Sequence, residues 1–226
     1  MPRPFIEFAD DNTFADHRYG RRLAEALGKE NIKWFAETDI SVAQDEELLR
    51  LIAQSGCRHI LVGLETPTAE GLKGLELQSN WKYRRRDFYR AATERIQSHG
   101  ITLNGCFVLG LDGDTEEVFD LIPAFVEETA LYEVQVTVQT AFPGTPLYRR
   151  LATAGRLLEP RNWRKCSLFD VNFRPLHTTP ERLEERFRAL VAELYSNEAV
   201  IRRHRRFVEV YGGRFREAHA AVLVTS

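Results

Sequence analysis

The sequence contains the stretch Leu103-Asn104-Gly105-Cys106-Phe107-Val108-Leu109-Gly110, a short apolar run rich in strand-forming residues that stops at a glycine. Four similar runs accompany it within the first 140 residues, at 5–8, 33–37, 59–64 and 133–140. Helical patterns lie between the runs, at 15–27, 44–54, 86–99 and 116–129. Each return to a parallel strand needs a crossover connection, so this alternation predicts an α/β fold with a parallel sheet. The spacing of the strands suits either an open sheet or a barrel.

The character of the sequence changes after Pro143. A short helix is predicted over 145–154, followed by an irregular connection over 159–175. Thr179-Pro180 gives an N-cap and a first-turn proline for a long amphipathic helix that ends near Ser196. A second helix is predicted over 198–210. We therefore divide the chain into an α/β part, residues 1–150, and a helical C-terminal extension, residues 151–226.

Composition and charge exclude several classes of protein. Of the 226 residues, 43% are hydrophobic and 28% are charged, which is usual for a globular domain. The formal net charge of −2 gives no general attraction to nucleic acid, and we expect no nucleic-acid partner. No apolar run reaches the roughly 18–20 residues of a membrane span, and the N-terminus has no apolar signal region. These features predict a cytoplasmic protein without a transmembrane segment.

The sequence has three cysteines, Cys57, Cys106 and Cys166, which are far apart. This odd and scattered set predicts neither a disulfide framework nor a local metal site. We expect Cys57 and Cys106 to be small buried residues, because free cysteines are among the most buried residue types. Two basic runs, at 82–86 and 202–206, are interpreted as solvated helix faces.

Polar residues follow several predicted strands, at the ends where parallel α/β folds bind their ligands. Asp10 and Asp11 follow the first strand and suit either an ammonium or cation site or a helix N-cap. Glu65 ends the third strand and suits either ribose hydroxyls or a helix-initiating turn. Gly105 lies within the fourth strand, where glycine often marks the close approach of a ligand or another backbone. Asp114, after that strand, is interpreted as a turn and helix-cap residue.

The order of these motifs is more informative than any one of them. The series runs from Phe8-Ala9-Asp10-Asp11-Asn12 through Trp34-Phe35-Ala36-Glu37-Thr38 and Gly63-Leu64-Glu65-Thr66, and ends in Pro143-Gly144-Thr145-Pro146-Leu147-Tyr148. In this order the chain resembles the radical S-adenosylmethionine superfamily over about residues 5–200. The branch with an upstream cobalamin-binding domain is the most similar. The tail resembles the extension found in some members that modify hydrophobic lipids.

The resemblance implies a partial parallel (β/α) barrel of about five strands, with S-adenosylmethionine and a 4Fe–4S cluster at the carboxyl ends of the strands. In that family the cluster, held by three cysteines, cleaves the cofactor to a 5′-deoxyadenosyl radical. By position, Asp10 and Asp11 match the contact with the methionine amino group, and Glu65 the contact with the ribose. The residues that match the adenine side are Gly105, Phe107, Val108, Gln139 and Phe142. Thr38 lies at the same carboxyl end of the strands and has no assigned role.

The chain departs from the family pattern at the cluster. The Cys-x-x-x-Cys-x-x-Cys loop, which precedes the Asp-Asp strand in the family, is absent from this sequence, and the three cysteines do not replace it. We therefore expect part of a longer or truncated radical S-adenosylmethionine enzyme, with no catalytic or cluster-binding residues of its own. The substrate of the full enzyme would be a small or lipid-like molecule, and methylation linked to cobalamin is one expected reaction.

Two other hypotheses remain open. The chain could be a non-catalytic protein that binds a partner chain, or a second copy of itself, through the open edge of its sheet. It could instead be an unrelated (β/α) enzyme in which Asp10, Asp11 and Glu65 hold a divalent metal ion.

Overall fold

A computed structural model of the chain describes residues 5–72 and 88–224, with side chains up to residue 216. The basic run at 82–86 lies outside the described residues, as do the first two residues of the helix predicted over 86–99.

Five strands form one parallel sheet whose spatial order equals the chain order, as in a half-barrel. This confirms the predicted incomplete (β/α) barrel. The strands are β1 (Phe5–Glu7), β2 (Lys33–Thr38), β3 (Cys57–Glu65), β4 (Thr102–Leu109) and β5 (Glu133–Val138). The helices that follow and connect them are α1 (His17–Leu27), α2 (Glu46–Gln54), α3 (Ala69–Leu72), α4 (Tyr89–Ser98), α5 (Val118–Glu128), α6 (Pro146–Thr153), α7 (Pro180–Leu194) and α8 (Asn197–Val224). None of the helices described is long and apolar enough to cross a membrane.

The sheet has two different faces, because successive side chains of a strand point to opposite sides. The face packed against the helices carries buried residues, which include Trp34, Ile60, Val62, Phe107 and Val136. The opposite face, which we call the open face, is lined by half-exposed side chains, which include Phe35, Leu61, Cys106, Val108 and Gln135. The core therefore lies on one side of the sheet, and the other side is accessible.

Aspartates set the starts of the first two helices. The Asp16 carboxylate caps α1 by accepting hydrogen bonds from the backbone N–H groups of Arg18 and Tyr19. The alternative role of Asp10 and Asp11 as the caps of this helix is therefore wrong. The Asp45 carboxylate caps α2 through Leu48 N–H. A 3-10 helix, Ile40–Gln44, precedes α2 and was not expected from the sequence.

The C-terminal extension shares the core of the sheet. The predicted apolar side of α7 is confirmed, since Leu183, Phe187, Leu190 and Leu194 are all buried in the main core. The last helix, α8, is longer than predicted and continues through Gly212 and Gly213. Buried Phe207 and Tyr211 on α8 pack against Ala130, and this packing explains why the paired glycines do not end the helix.

The extension also covers one edge of the sheet. The Tyr195 hydroxyl donates to Val134 O at 2.9 Å and accepts from Val136 N at 3.3 Å, both on the outer side of β5. Farther along, Val138 N donates to Leu168 O at 2.7 Å. The backbone groups of this edge strand are thus paired by the connection and helices that follow it.

The basic run at 202–206 is not a purely solvated face. Arg203 is only 8% exposed, and its guanidinium donates to Tyr132 O and Leu194 O at 3.1 and 3.0 Å. The ring of His204 stacks on Tyr132 at a centroid distance of 4.5 Å. The prediction of a solvated helix face is wrong for Arg203, because its two carbonyl partners lie outside its own helix and only the folded chain brings them to it.

Candidate functional site

The loop after β1 is held at the carboxyl end of the sheet by Asn12. The Asn12 side chain donates to Asp39 Oδ2 at 2.7 Å and accepts from the Thr38 hydroxyl at 3.0 Å. Thr13 N also donates to Glu37 O at 2.9 Å. This network anchors the loop beside the end of β2 and leaves Asp10 and Asp11 exposed to solvent. It also gives Thr38 a role, which is to fix Asn12.

Glu65 ends β3 in an unusual backbone conformation. Its φ angle is +66°, in the left-handed region that non-glycine residues seldom adopt. The pairing of β3 with β4 shifts register between Gly63 and Glu65, and Thr66 N donates to Leu64 O at 2.9 Å. Such bulges and strained residues cluster at functional sites, where they direct a side chain.

Asp114 joins the ends of β3 and β4. Its carboxylate accepts from Gly110 N and Leu111 N at 3.1 and 3.0 Å, and from the Thr66 hydroxyl at 3.3 Å. Asp114 is therefore not the cap of α5, because its acceptor oxygens are used by the loop after β4 and by Thr66. Burial raises the pKa of Asp114 to about 6, against the lowering effect of these hydrogen bonds.

The residues predicted on the fourth strand divide between the two faces of the sheet. Val108 lies half-exposed on the open face. Phe107 is fully buried against the helices and meets Phe125 edge to face at 5.7 Å. A Cβ on Gly105 would lie 2.9 Å from the side chains of both Leu64 and Leu131. The glycine therefore makes room for two leucines on the helix-packed face.

Gln139 follows β5 directly and is only 7% exposed. Its Oε1 has no hydrogen-bond partner in the described part of the chain. Other buried side-chain oxygens in residues 5–72 and 88–224 share this property, among them Thr13 Oγ1 beyond β1, Asn104 Oδ1 within β4 and Thr93 Oγ1 on α4. An unpaired buried polar atom costs about 1–3 kcal/mol, so each calls for a water or a ligand atom. Phe142, three residues after Gln139, is 37% exposed.

Sequence reasoning missed Thr13 and Asn104, because an isolated threonine or asparagine carries no signal for an unpaired buried oxygen. The different directions of Phe107 and Val108 were predictable, since alternation along a strand places neighbours on opposite faces.

The three cysteines do not form a cluster site. Cys57 is fully buried, as predicted, and burial raises the pKa of its thiol. Cys106 is half-buried on the open face, so the expectation that it is buried is wrong, and Cys166 lies in the connection after α6. Within the described residues no three His, Cys, Asp or Glu side chains are placed to hold a metal ion. This absence argues against the divalent-metal hypothesis, and Asp10 and Asp11 follow β1 whereas Glu65 ends β3, two strands away in the sheet.

A cavity of about 630 Å³ lies elsewhere, between α4, the end of α5 and α8. Its lining mixes acidic and basic side chains, including Glu94, Arg95, Arg206 and Arg214. None of the predicted site residues contributes to it.

Comparisons with known proteins agree with this fold. Residues 145–223 match a family described as a domain of unknown function, DUF4070. The chain is 28% identical over 198 residues to bacteriochlorophyllide d C-12(1)-methyltransferase of Chlorobaculum tepidum, covering 88% of this chain and 42% of that protein. It is 26% identical over 212 residues to hopanoid C-2 methylase of Rhodopseudomonas palustris, covering 89% and 37%. The chain thus spans about two fifths of the length of these relatives.

A solved structure shares the fold. It is the radical S-adenosylmethionine methyltransferase TsrM of Kitasatospora setae, 19% identical to this chain. TsrM with cobalamin and a [4Fe-4S] cluster bound gives a TM-score of 0.58, covering 81% of this chain and 37% of TsrM. TsrM with tryptophan and a cofactor analogue gives 0.61, covering 84% and 42%. The chain is therefore similar in sequence to two methyltransferases and shares its fold with a radical S-adenosylmethionine methyltransferase.

Proposed function

We propose that this chain binds the nucleoside of S-adenosylmethionine at the carboxyl edge of its sheet, as part of a protein that methylates an apolar small molecule. The relatives named for methylation of a bacteriochlorophyllide and of a hopanoid support the reaction and the substrate class. The chain would supply the site that orients the cofactor.

The observation that carries this proposal is the buried Gln139 Oε1, which has no partner among the described residues. It follows β5 at the end where α/β folds bind ligands. A carbonyl oxygen accepts hydrogen bonds, and the exocyclic amino group of adenine is a donor. Filling this position with adenine would offset the cost of the unpaired oxygen.

The other predicted residues take roles that fit their places. We propose that Glu65 accepts hydrogen bonds from ribose hydroxyls, and that Val108 and Phe142 give apolar contact to the adenine. Asp10 and Asp11, exposed on an anchored loop, would receive the methionine amino group. Gly105 and Phe107 face the helices, so they would contribute through their main chain only.

The residues of this chain do not fit a 4Fe–4S cluster, because its three cysteines lie on separate elements. We propose that the cluster cysteines, and any cobalamin site, come from outside these 226 residues. The open edge of β1 is where a further strand would add. On this view the chain alone does not cleave the cofactor.

The second candidate function is that of a non-catalytic protein that binds a partner through the same edge of β1, where Phe5 is 59% exposed. Partner binding would use the edge of β1 and would not involve the unpaired oxygen of Gln139. Cofactor binding therefore separates the two candidates.

Titration calorimetry with S-adenosylhomocysteine tests the proposal. We expect the unaltered chain to bind, and Gln139→Leu to bind about three- to tenfold more weakly, as the loss of one hydrogen bond predicts. The matched control is Gln54→Leu, because Gln54 is an exposed glutamine on α2, and it should leave the affinity unchanged. No binding by the unaltered chain, or equal affinity in the Gln139→Leu variant, would overturn the proposal.

Anaerobic reconstitution with iron and sulfide tests the cluster separately. We expect far fewer than about four irons per chain, the number that a 4Fe–4S centre requires. About four irons, with the matching electron paramagnetic resonance signal, would show that the cysteines here do hold a cluster.

A further inference from the structure

The loops after β3 and β4 are fastened to each other by a buried carboxylate. Asp114, 8% exposed, binds two backbone N–H groups of its own loop and the hydroxyl of Thr66 on the other. Thr66 is fully buried, and its hydroxyl also accepts from Thr68 N at 3.3 Å. A single carboxylate thus sets the position of one loop relative to the other.

Two glycines allow the loops to approach this closely. A Cβ on Gly71 would lie 2.6 Å from Asp114 Oδ1, and a Cβ on Gly113 would lie 2.0 Å from Glu70 O. Real Cβ atoms do not come this near to an oxygen. The contact between the loops is therefore tight on both sides of the carboxylate, and it leaves little room for the loops to shift.

Glu65 lies immediately before Thr66 in this arrangement. The left-handed conformation is unfavourable for a non-glycine residue, and it persists only where the surroundings of the residue determine it. The hydrogen bond from Thr66 N to Leu64 O and that from the Thr66 hydroxyl to Asp114 are such constraints. The direction of the Glu65 side chain therefore depends on where Thr66 is held.

We propose that Asp114 is a positioning residue that, through Thr66, holds Glu65 in the orientation that reads the ribose hydroxyls of the cofactor. The inference rests on the proposed function, since it takes Glu65 as the ribose contact. It adds a residue that touches no ligand and yet sets the specificity of the site for a ribonucleoside.

The test compares the affinity for S-adenosylhomocysteine with that for its 2′-deoxy analogue. A hydrogen bond to a carboxylate predicts a preference of about tenfold or more in the unaltered chain. Glu65→Met, which keeps the length of the side chain and removes both acceptor oxygens, should remove most of this preference. Thr66→Val, which keeps the side-chain shape and removes the bonds of the hydroxyl to Asp114 and to Thr68 N, should lower it at least about threefold, and the double variant should fall no further than Glu65→Met alone.

The matched control is Thr102→Val. Thr102 is also buried, at the amino end of β4, and its hydroxyl donates to Arg58 O. This variant should lower thermal stability and leave the preference unchanged, because a general loss of stability weakens both ligands alike. Asp114→Asn alters the acceptor of the same hydrogen bond. The preference of this variant for the ribonucleoside over its 2′-deoxy analogue should fall as it does in Thr66→Val.

The possible results distinguish a failure of this inference from a failure of the proposed ribose contact. A full preference in both Thr66→Val and Asp114→Asn, with a lost preference in Glu65→Met, overturns the inference and leaves the ribose contact intact. An unchanged preference in Glu65→Met, or none in the unaltered chain, removes the ribose contact and the inference with it.

Discussion

The two edge strands of the sheet, β1 and β5, differ in whether the backbone groups on their outer sides are paired. On the outer side of β5, the Tyr195 hydroxyl and Leu168 O pair with the backbone at Val134, Val136 and Val138. On the other side, β1 pairs with β2 alone within the described chain, and Phe5 and Ile6 are 59% and 39% exposed. An unpaired apolar edge is a template for another strand, whereas a covered edge is closed to addition.

This difference shows what the C-terminal extension does for the fold. It completes the sheet on the side of β5 and adds α7 to the core. No described element serves β1 in the same way, so we place any additional strand there. Between the two edges, β3 and β4 are joined at their carboxyl ends by Asp114.

The largest expected effect is on the pH dependence of stability at the centre of the sheet. The pKa of Asp114 is about 6 in the fold against 3.8 as its ordinary value. The unfolded chain therefore loses this proton first as pH rises, and the folded state is destabilised between about pH 4 and pH 6. At roughly 1.4 kcal/mol per pKa unit, the loss approaches about 3 kcal/mol.

Urea denaturation of the unaltered chain and of Asp114→Asn from pH 4 to pH 7 measures this effect. The difference in unfolding free energy between them isolates Asp114, because the other carboxyl groups titrate in both. Relative to Asp114→Asn, the unaltered chain should lose up to about 3 kcal/mol of unfolding free energy between pH 4 and pH 7. A constant difference would show that the carboxylate is not destabilised by burial.

A smaller effect is expected at the covered edge. Tyr195→Phe removes the hydroxyl that serves Val134 O and Val136 N, and it should lower the free energy of unfolding by about 1–2 kcal/mol. The matched control is Tyr19→Phe, since Tyr19 is 50% exposed on α1 and should change stability little. Equal denaturation midpoints for the two variants would mean that water replaces the extension at this edge.

The smallest effect on stability is expected at the open edge. Ile6→Lys places a charge on the exposed strand and should change the free energy of unfolding by less than about 0.5 kcal/mol. It should nevertheless reduce any self-association measured by sedimentation, because edge lysines oppose strand addition. Ile201→Lys, 58% exposed on α8, is the control. Self-association that persists in Ile6→Lys would place the contact elsewhere.

Much of the fold could be predicted from the sequence. The five apolar runs locate the strands to within about two residues, because period and turn residues are local properties. The roles of Asp114 and Arg203 could not, since their partners are set by tertiary packing. For the same reason a helix-cap interpretation of Asp114 was reasonable from its spacing and wrong in the structure.

Only part of the candidate site could be predicted from the sequence. The ordered motifs indicated Glu65, Val108 and Gln139, and all three lie at or next to the carboxyl ends of neighbouring strands of the sheet. That Gln139 is buried with an unpaired oxygen, and that Glu65 adopts a positive φ, are properties of the folded chain. No pattern in the sequence encodes either of them.

A crystal structure of the chain grown with S-adenosylhomocysteine would locate the nucleoside itself. We predict that it lies at the carboxyl edge of the sheet, with a hydrogen bond from the adenine amino group to Gln139 Oε1 and with the ribose beside Glu65. Ligand bound only in the cavity between α4 and α8, or a water-filled carboxyl edge at saturating ligand, would contradict it.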